Sequence, residues 1–322
     1  MTLPYDKSAA VVALPSLAGN RVTDKGLRRW LSRALVKRSE NHSQLLESVL
    51  GALNMPYPDD GIAALRMWGQ TGDRPTVWVA AADPVYLEPR LDHLCLHALD
   101  DEQMLTADLR TILDYLQETL AQNERYGFAR IGSHGYLRAD DPLSTAELPA
   151  IVIDEQLPDE FMPSGEESGS YRKLRSEVEM ALHDHEVNLR RQSEGLPPIN
   201  SLWLWGGGLA PEQSTKPCPP LFGNDPLLKG YWLSKTAVVD DWPGSIAACL
   251  EASVAGFVAI PGACEDGHDW IEPCLRELRD AVRSGRISNL VLILADGHEV
   301  HVKRSGRWRF WRRSSTLFGS RN

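Results

Sequence analysis

Carboxylate and imidazole side chains that could bind a metal recur in two Asp-Gly-His triplets. They are Asp266-Gly267-His268 and Asp296-Gly297-His298, and a further aspartate, Asp83, follows an apolar run. Metal-dependent phosphotransferases hold their ions with Asp and His side chains at strand ends, so the pattern allows a phosphotransferase or phosphohydrolase site. The candidate ligands, for manganese or zinc, are Asp83, Asp266, His268, Asp296 and His298. Asp-Gly is also ordinary turn chemistry, and that alternative stays open.

A second candidate feature is the run INSLWLWGGG at residues 199–208. Glycines at a strand end let backbone N–H groups approach a ligand, so a small anionic ligand such as a phosphate could contact Gly206, Gly207 and Gly208. The spacing matches neither common glycine-rich phosphate motif, and a proline-rich loop follows in place of a helix. The residues by themselves therefore favour a tight turn, with Trp203 and Trp205 as core side chains on one face of the strand.

No serine or cysteine stands in a recognisable nucleophile setting, so the sequence identifies no catalytic residue. Ser16 lies outside a G-x-S-x-G elbow, and Ser133-His134 has no evident third partner. His93 and His97 fall on a predicted strand and so cannot form the helical pair of a zinc protease. The five cysteines include no C-x-x-C pair, which argues against a disulfide framework and a structural zinc site and favours a reducing cytoplasm.

Basic and aromatic residues alternate near the end of the chain. Arg307, Arg309 and Arg312 are interleaved with Trp308 and Phe310. Proteins that bind single-stranded nucleic acids use such a combination of basic and aromatic side chains. A β-hairpin with arginines outside and aromatic side chains inside gives the same pattern. The net charge of −10 at pH 7 favours this structural interpretation, and nucleic-acid contact is the alternative.

The elements that must position these residues follow an α/β pattern. Residues 9–19 form a short apolar run that is typical of a strand buried on both faces. From Ser201 onward, predicted strands at 201–208, 256–262 and 288–297 alternate with predicted helices, and residues 230–239 are predicted to be extended. This rhythm predicts a largely parallel sheet with helices on both faces. A C-terminal β-hairpin is predicted around Ser305-Gly306.

Before Ser201, the chain is predicted to combine helices with several β segments, among them a strand at 91–99. Single helices are expected over 23–39, 106–127 and 171–195, and a strand that begins at Thr76 is expected to turn at Asp83-Pro84. Residues 127–141 are predicted to form a strand or a hairpin.

The whole chain is predicted to be one α/β domain, 1–322, with 75–150 as a possible inserted lobe and 154–170 as an acidic loop. No apolar run approaches the ~18 residues of a membrane span. The start of the chain has no signal-peptide pattern, so we expect a cytoplasmic location.

The run at 199–208 resembles a motif of bacterial RpfE-type regulatory proteins, which are similar to cofactor-independent phosphoglycerate mutases. Its W-L-W-G-x-G strand resembles the equivalent strand of the archaeal-type phosphoglycerate mutases of the alkaline phosphatase superfamily. The block AADPVYLEPRLDHLCL and the helix TADLRTILDYLQETL resemble the preceding part of the same proteins, so the resemblance covers residues 75–210. It implies an alkaline-phosphatase-like α/β core.

In the mutases of that family, two metal ions lie on Asp and His side chains at strand ends, and a serine carries the phosphoryl group. Pro15-Ser16 stands where those enzymes have a metal-binding Asp-Gly, and residues 294–300 are a faint counterpart of their later Asp-plus-His motif. A two-metal site needs most of its ligands. The resemblance therefore implies a regulatory or binding protein that has lost mutase catalysis, with no cofactor. A working metal-dependent phosphotransferase is the alternative.

Overall fold

The structure is a computed structural model that describes residues 9–17, 21–38, 44–99, 105–122, 125–165, 168–253, 256–262 and 270–303. The chain divides into two compact units. The split unit comprises Met1–Tyr57 and Gln213–Asn322, and the inserted unit comprises Pro58–Glu212. This division differs from the prediction of one domain with a lobe at 75–150, because the inserted unit is wider than that lobe.

The described residues form twelve strands and nine α-helices. The strands are β1 (Ala9–Leu14), β2 (Leu35–Arg38), β3 (Val79–Pro89), β4 (Leu94–Ala98), β5 (Tyr126–Ile131), β6 (His134–Ala139), β7 (Ser201–Gly208), β8 (Leu221–Phe222), β9 (Val239–Asp240), β10 (Phe257–Ala259), β11 (Asn289–Leu294) and β12 (His298–Lys303). The helices are α1 (Lys25–Leu31), α2 (Leu45–Leu53), α3 (Ile62–Thr71), α4 (Thr106–Leu120), α5 (Ser168–Leu182), α6 (Glu186–Ser193), α7 (Pro226–Ser234), α8 (Ile246–Ala252) and α9 (Ile271–Ser284). None of these helices is both long and apolar enough to cross a membrane.

The split unit contains the predicted largely parallel sheet, with strand order β2-β12-β11-β1-β10-β8-β9. The pairs that join β11, β1, β10, β8 and β9 are parallel, whereas β12 pairs antiparallel with both β11 and β2. Strand β1 is buried along nearly its whole length, which confirms the prediction from its continuous apolar run. The α/β class predicted from the sequence is therefore correct for this unit.

Helices cover both faces of this sheet, as predicted. On one face, the even-numbered residues of β1 pack with apolar side chains of α1, α8 and α9, among them Leu27, Cys249 and Leu275. Helix α2 packs against β1 and β11, and its buried side chains are absent from that first cluster. It therefore lies on the other face, over strand residues such as Val11 and Val291.

A C-terminal hairpin is present, and it consists of β11 and β12. The chain turns at Asp296-Gly297, where Gly297 has a φ of +79° that suits glycine. The second Asp-Gly-His triplet is thus part of a turn, as one interpretation of the sequence proposed. The hairpin predicted around Ser305-Gly306 lies beyond Lys303 and so outside the described residues.

The inserted unit is built on a separate antiparallel sheet with strand order β4-β3-β6-β5, and β7 pairs with β3 as well. Helices α4 and α5 pack on one face of this sheet, and α3 packs against β3 and β7. The prediction that residues 201–208 form a strand is confirmed. Its assignment to the parallel sheet is wrong, because β7 pairs antiparallel with β3.

Strand β3 does not turn at Asp83-Pro84 as the sequence suggested. It continues through both residues because its partner on one edge changes there, from β6 at Val79–Ala81 to β4 at Val85–Pro89. Pro84 has no N–H to donate, and at the change of partner no ladder bond is required from it. The proline is therefore accommodated inside the strand.

Three predicted helical or extended segments differ from the structure. The helix expected over 23–39 ends at Leu31, and β2 follows. The long helix over 171–195 is two helices, because His185 starts α6 as its N-cap and accepts a hydrogen bond from the Val187 N–H. Residues 230–239, predicted to be extended, begin inside α7, whose N-cap Asp225 precedes Pro226 in the first turn. The acidic segment 154–170 contains a short 3₁₀ turn at Pro158–Glu160 and the start of α5.

Candidate functional site

Two polar residues meet at the carboxyl edge of the parallel sheet in the split unit. Ser16 follows β1 and Asp296 follows β11, and these strands are parallel neighbours, so their ends lie at one edge of the sheet. The Ser16 hydroxyl donates a hydrogen bond of 2.5 Å to Asp296 Oδ2. The other carboxylate oxygen lies 2.9 Å from His298 Nδ1 and accepts from the His298 backbone N–H at 3.3 Å. Both oxygens of Asp296 therefore have partners within the protein.

These hydrogen bonds favour the charged form of Asp296. Burial on its own raises the pKa of Asp296, but the hydrogen bonds from Ser16 and His298 outweigh burial and hold the pKa below its ordinary value. Asp296 is thus a carboxylate at neutral pH, with about a quarter of its side chain exposed.

We expect Ser16→Ala to raise the pKa of Asp296, because the carboxylate loses one of its donors. The folded-state pKa of Asp296 lies below the unfolded value, so its contribution to stability is present above about pH 3.9 and is lost as the pH falls further. The variant should lose part of that contribution. A carboxyl-detected NMR titration measures the pKa directly. Ser32→Ala, which removes an exposed hydroxyl bonded to the Arg29 carbonyl, should leave the Asp296 titration unchanged.

The donors described at this edge do not fit a two-metal phosphotransfer site. Asp296 and His298 supply one carboxylate and one imidazole, and β8 and β9 add Asn224, Asp225, Asp240 and Asp241 at this edge. Asp225 caps α7 and Asp241 pairs with Lys229. Among the described residues, no three His, Cys, Asp or Glu ligand atoms at this edge lie within 4.8 Å of one another. Two ions between them require several carboxylates and histidines. The first triplet, with the candidate ligands Asp266 and His268, lies outside the described residues.

The structure places Asp83 in the inserted unit, in a network built on β3, β7 and α3. Asp83 Oδ1 lies 3.2 Å from Arg66 Nη1, and Oδ2 accepts a 2.6 Å hydrogen bond from Trp205 Nε1. Arg66 is 8% exposed and also donates to the Tyr136 hydroxyl and the Gly135 carbonyl, each at 3.1 Å. Its guanidinium lies over the Tyr136 and Trp205 rings, 4.8 and 5.2 Å from their centres.

This network is arranged as a buried ion pair. Burial lowers the pKa of Arg66, yet the nearby Asp83 charge and the Tyr136 contacts reverse that effect and raise it overall. Both oxygens of Asp83 are already bonded to cationic or N–H donors. The geometry therefore accounts for Asp83 as the partner of Arg66, without a metal.

The three glycines of β7 lie where side chains would collide with neighbouring atoms. Gly206 has a φ of +60°. A Cβ at Gly207 would lie 2.4 Å from Trp78 Cζ2, and one at Gly208 would lie 2.0 Å from Asp60 Oδ1 and 2.4 Å from the Gly61 nitrogen. The Gly206 N–H donates to the Ala146 carbonyl and the Gly207 N–H to Thr145 Oγ1. Close packing thus explains the glycines, and an anion would compete with these two acceptors.

The structure describes some of the predicted site residues and not others. The structure brings Asp296 and His298 together, as the triplet suggested, and pairs Asp83 with Arg66. The basic residues proposed for nucleic-acid contact, Arg307, Arg309 and Arg312, lie outside the described residues. Nothing in the local motifs indicated that Ser16 would contact Asp296. The available signal was positional, because both residues directly follow apolar strands that the α/β pattern predicted.

The chain is similar in sequence to 2,3-bisphosphoglycerate-independent phosphoglycerate mutases. It is 28% identical over 213 residues to that of Methanosarcina mazei, covering 59% of this chain and 52% of the relative. It is 39% identical over 144 residues to that of Methanosarcina acetivorans, covering 38% of this chain and 36% of the relative. The chain thus spans between about a third and half of the length of these curated relatives. No protein-family model matches the chain.

Among solved structures, the cofactor-independent phosphoglycerate mutase from Thermoplasma acidophilum aligns with a TM-score of 0.43 and 18% identity. The alignment covers 97% of this chain and 94% of that structure. The two sequence relatives named above, both 2,3-bisphosphoglycerate-independent phosphoglycerate mutases, match this chain over only part of their length.

Proposed function

We propose that this protein is phosphoglycerate-mutase-like, with an alkaline-phosphatase-like core, and that it has lost mutase catalysis. It acts in this proposal as a regulatory or binding protein of the RpfE type, in the cytoplasm. The low-identity relationship to the mutases supports the first part. The hydrogen bond from Ser16 to Asp296 supports the loss of catalysis.

A two-metal site needs a metal-binding side chain in the segment that contains Ser16. The resembled enzymes have a metal-binding Asp-Gly where this chain has Pro15-Ser16, so a carboxylate is replaced by an imino acid and a hydroxyl. The hydroxyl donates to Asp296 Oδ2, one of the oxygens that a metal would need, and His298 contacts the other. Such a cluster satisfies its own hydrogen bonds and offers few ligands for two ions.

A mutase assay tests this proposal. Purified full-length protein is incubated with 3-phosphoglycerate and either Mn²⁺ or Zn²⁺, and formation of 2-phosphoglycerate is followed. We expect no conversion above a protein-free blank, with the Methanosarcina mazei relative assayed in parallel as the active control. Turnover of about 1 s⁻¹ or faster, the lower range of ordinary enzymes, would refute the loss of catalysis.

The alternative, a metal-dependent phosphohydrolase, is tested with an aryl phosphate under the same conditions. We expect no metal-dependent hydrolysis. If hydrolysis occurs and Asp296→Asn abolishes it while Asp83→Asn does not, the active centre lies at the carboxyl edge of the parallel sheet.

The binding role is tested by thermal unfolding with 3-phosphoglycerate, which should raise the Tm if the folded protein binds it. An unchanged Tm would remove this anion from the proposal.

A further inference from the structure

Three metal-binding side chains lie together on the hairpin of β3 and β4, in the inserted unit. Glu88 on β3 is directly opposite Cys95 on β4, and His97 lies two residues further along β4. Alternate residues of a strand share a face, so all three side chains project from the same side of the sheet. Their ligand atoms lie within 4.8 Å of one another, and His97 Nε2 is 3.0 Å from Glu88 Oε2. Among the residues that the structure describes, this is the one such group of three.

We propose that Glu88, Cys95 and His97 form a binding site for one Zn²⁺ ion. Thiolate, imidazole and carboxylate are the three ligand types that zinc takes from proteins, and a tetrahedral ion held by three of them keeps a position for water. A thiolate disfavours Mg²⁺, Ca²⁺ and Mn²⁺, which prefer oxygen ligands. The thiolate and the carboxylate together neutralise the charge of the ion. This proposal does not depend on the loss of mutase catalysis proposed above.

The burial of the three residues suits an ion held at the surface of the sheet. Cys95 is 6% exposed, whereas Glu88 and His97 are only partly covered. The thiolate would therefore be the inner ligand, with the fourth position open to solvent. The Tyr86 ring stacks on His97 with 5.8 Å between ring centres, which orients the imidazole. Ligands on paired strands are held more precisely than ligands on loops.

Arg90 is the group that competes with an ion for Glu88. Its Nε and Nη2 atoms lie 2.9 and 2.7 Å from Glu88 Oε2, the oxygen that His97 also contacts. These bonds, from His97 first and then Arg90, hold the pKa of Glu88 below its usual value. The Arg90 side chain is half exposed, and an exposed ion pair of this kind is weak. Zinc can displace it.

The test uses the full chain with its thiols kept reduced. Zinc is titrated in competition with a chromophoric chelator, and Co²⁺ is used as a spectroscopic substitute that gives a sulfur-to-metal charge-transfer band only when a thiolate binds it. We expect the wild type to bind one equivalent of zinc that Cys95→Ser and His97→Gln lose or bind at least tenfold more weakly. The cobalt band should disappear in Cys95→Ser.

Matched variants separate this site from other metal binding. His93→Gln changes a neighbouring exposed histidine that pairs with Asp92, and Cys218→Ser changes a thiol of the split unit; both should bind zinc as the wild type does. Arg90→Gln should bind zinc up to about fivefold more tightly, because the competing ion pair is gone.

The proposal is overturned if the wild type gives no cobalt–thiolate band, or if Cys95→Ser and His97→Gln bind as much zinc as the wild type with equal affinity. Circular dichroism checks that each variant is folded. His97 is partly exposed, so His97→Gln still tests the site if the more buried Cys95→Ser variant fails to fold.

Discussion

Replacing Arg66 by methionine should lower the free energy of unfolding by about 3 kcal/mol, the lower end of the cost of leaving one member of a buried ion pair without its partner. Methionine keeps much of the packing between the Tyr136 and Trp205 rings, so the loss reports mainly on the charge of Asp83. The lower end applies because a fifth of the Asp83 side chain is exposed. Urea unfolding with a fluorescence readout measures the change.

Arg125→Met is the matched control for this prediction. Arg125 pairs with Asp141 at 3.3 Å, and both side chains are largely exposed, so the substitution should cost no more than about 1 kcal/mol. If Arg66→Met costs as little as the control, the network around Asp83 is not a structural ion pair, and Asp83 becomes available again as a metal ligand.

The second large effect is expected at Gly208. Gly208→Ala places a methyl group 2.0 Å from Asp60 Oδ1 and 2.4 Å from the Gly61 nitrogen. The backbone nitrogen cannot move aside cheaply, and Asp60 Oδ1 already accepts from the Gly61 N–H. We expect the free energy of unfolding to fall by about 3 kcal/mol, the upper range for overpacking.

Gly169→Ala provides the comparison, because Gly169 lies in α5 of the same unit with nothing within 4 Å of its would-be Cβ. That substitution should raise the free energy of unfolding by about 0.5–1 kcal/mol. The two variants also separate the two explanations of the glycine run. If Gly208→Ala leaves stability unchanged but abolishes binding of a phosphate ester, the glycines serve a ligand and the packing argument fails.

Local patterns predicted most elements of the split unit. The continuous apolar runs at β1 and β11 and the strong amphipathic pattern of α9 are local features, so they can be recognised without knowing the fold. The helix α7 was missed because its apolar residues Tyr231, Trp232 and Leu233 also suit a strand. The Asp225-Pro226 start signal was present and would have corrected this.

The pairing partners of the strands are harder to predict from the sequence than the strands themselves. Residues 201–208 give a clear strand, but nothing local states that its partner is β3, more than a hundred residues earlier in the chain. The alternation of helices and strands after Ser201 favoured the parallel sheet instead. The break between α5 and α6 was also invisible, because the helical period continues across His183 and His185 and only the capping role of His185 interrupts it.

The candidate sites were predicted less well, because they depend on contacts between distant residues. The sequence placed Asp296 and His298 together as neighbours in one triplet, but the Ser16 contact joins residues from the two ends of the chain. The Glu88, Cys95 and His97 group depends on the register of two strands, which a search for C-x-x-C pairs cannot detect.

The division of the split unit into two chain segments affects the order in which the protein can fold during its synthesis. Strand β1 is made early, yet its neighbours β10 and β11 follow only after the whole inserted unit. The inserted unit has a hydrophobic core of its own, so it can fold first on the ribosome. During that interval β1 is an apolar strand with two unpaired edges, a feature that promotes aggregation. We expect the nascent chain to depend on a chaperone until β11 has emerged.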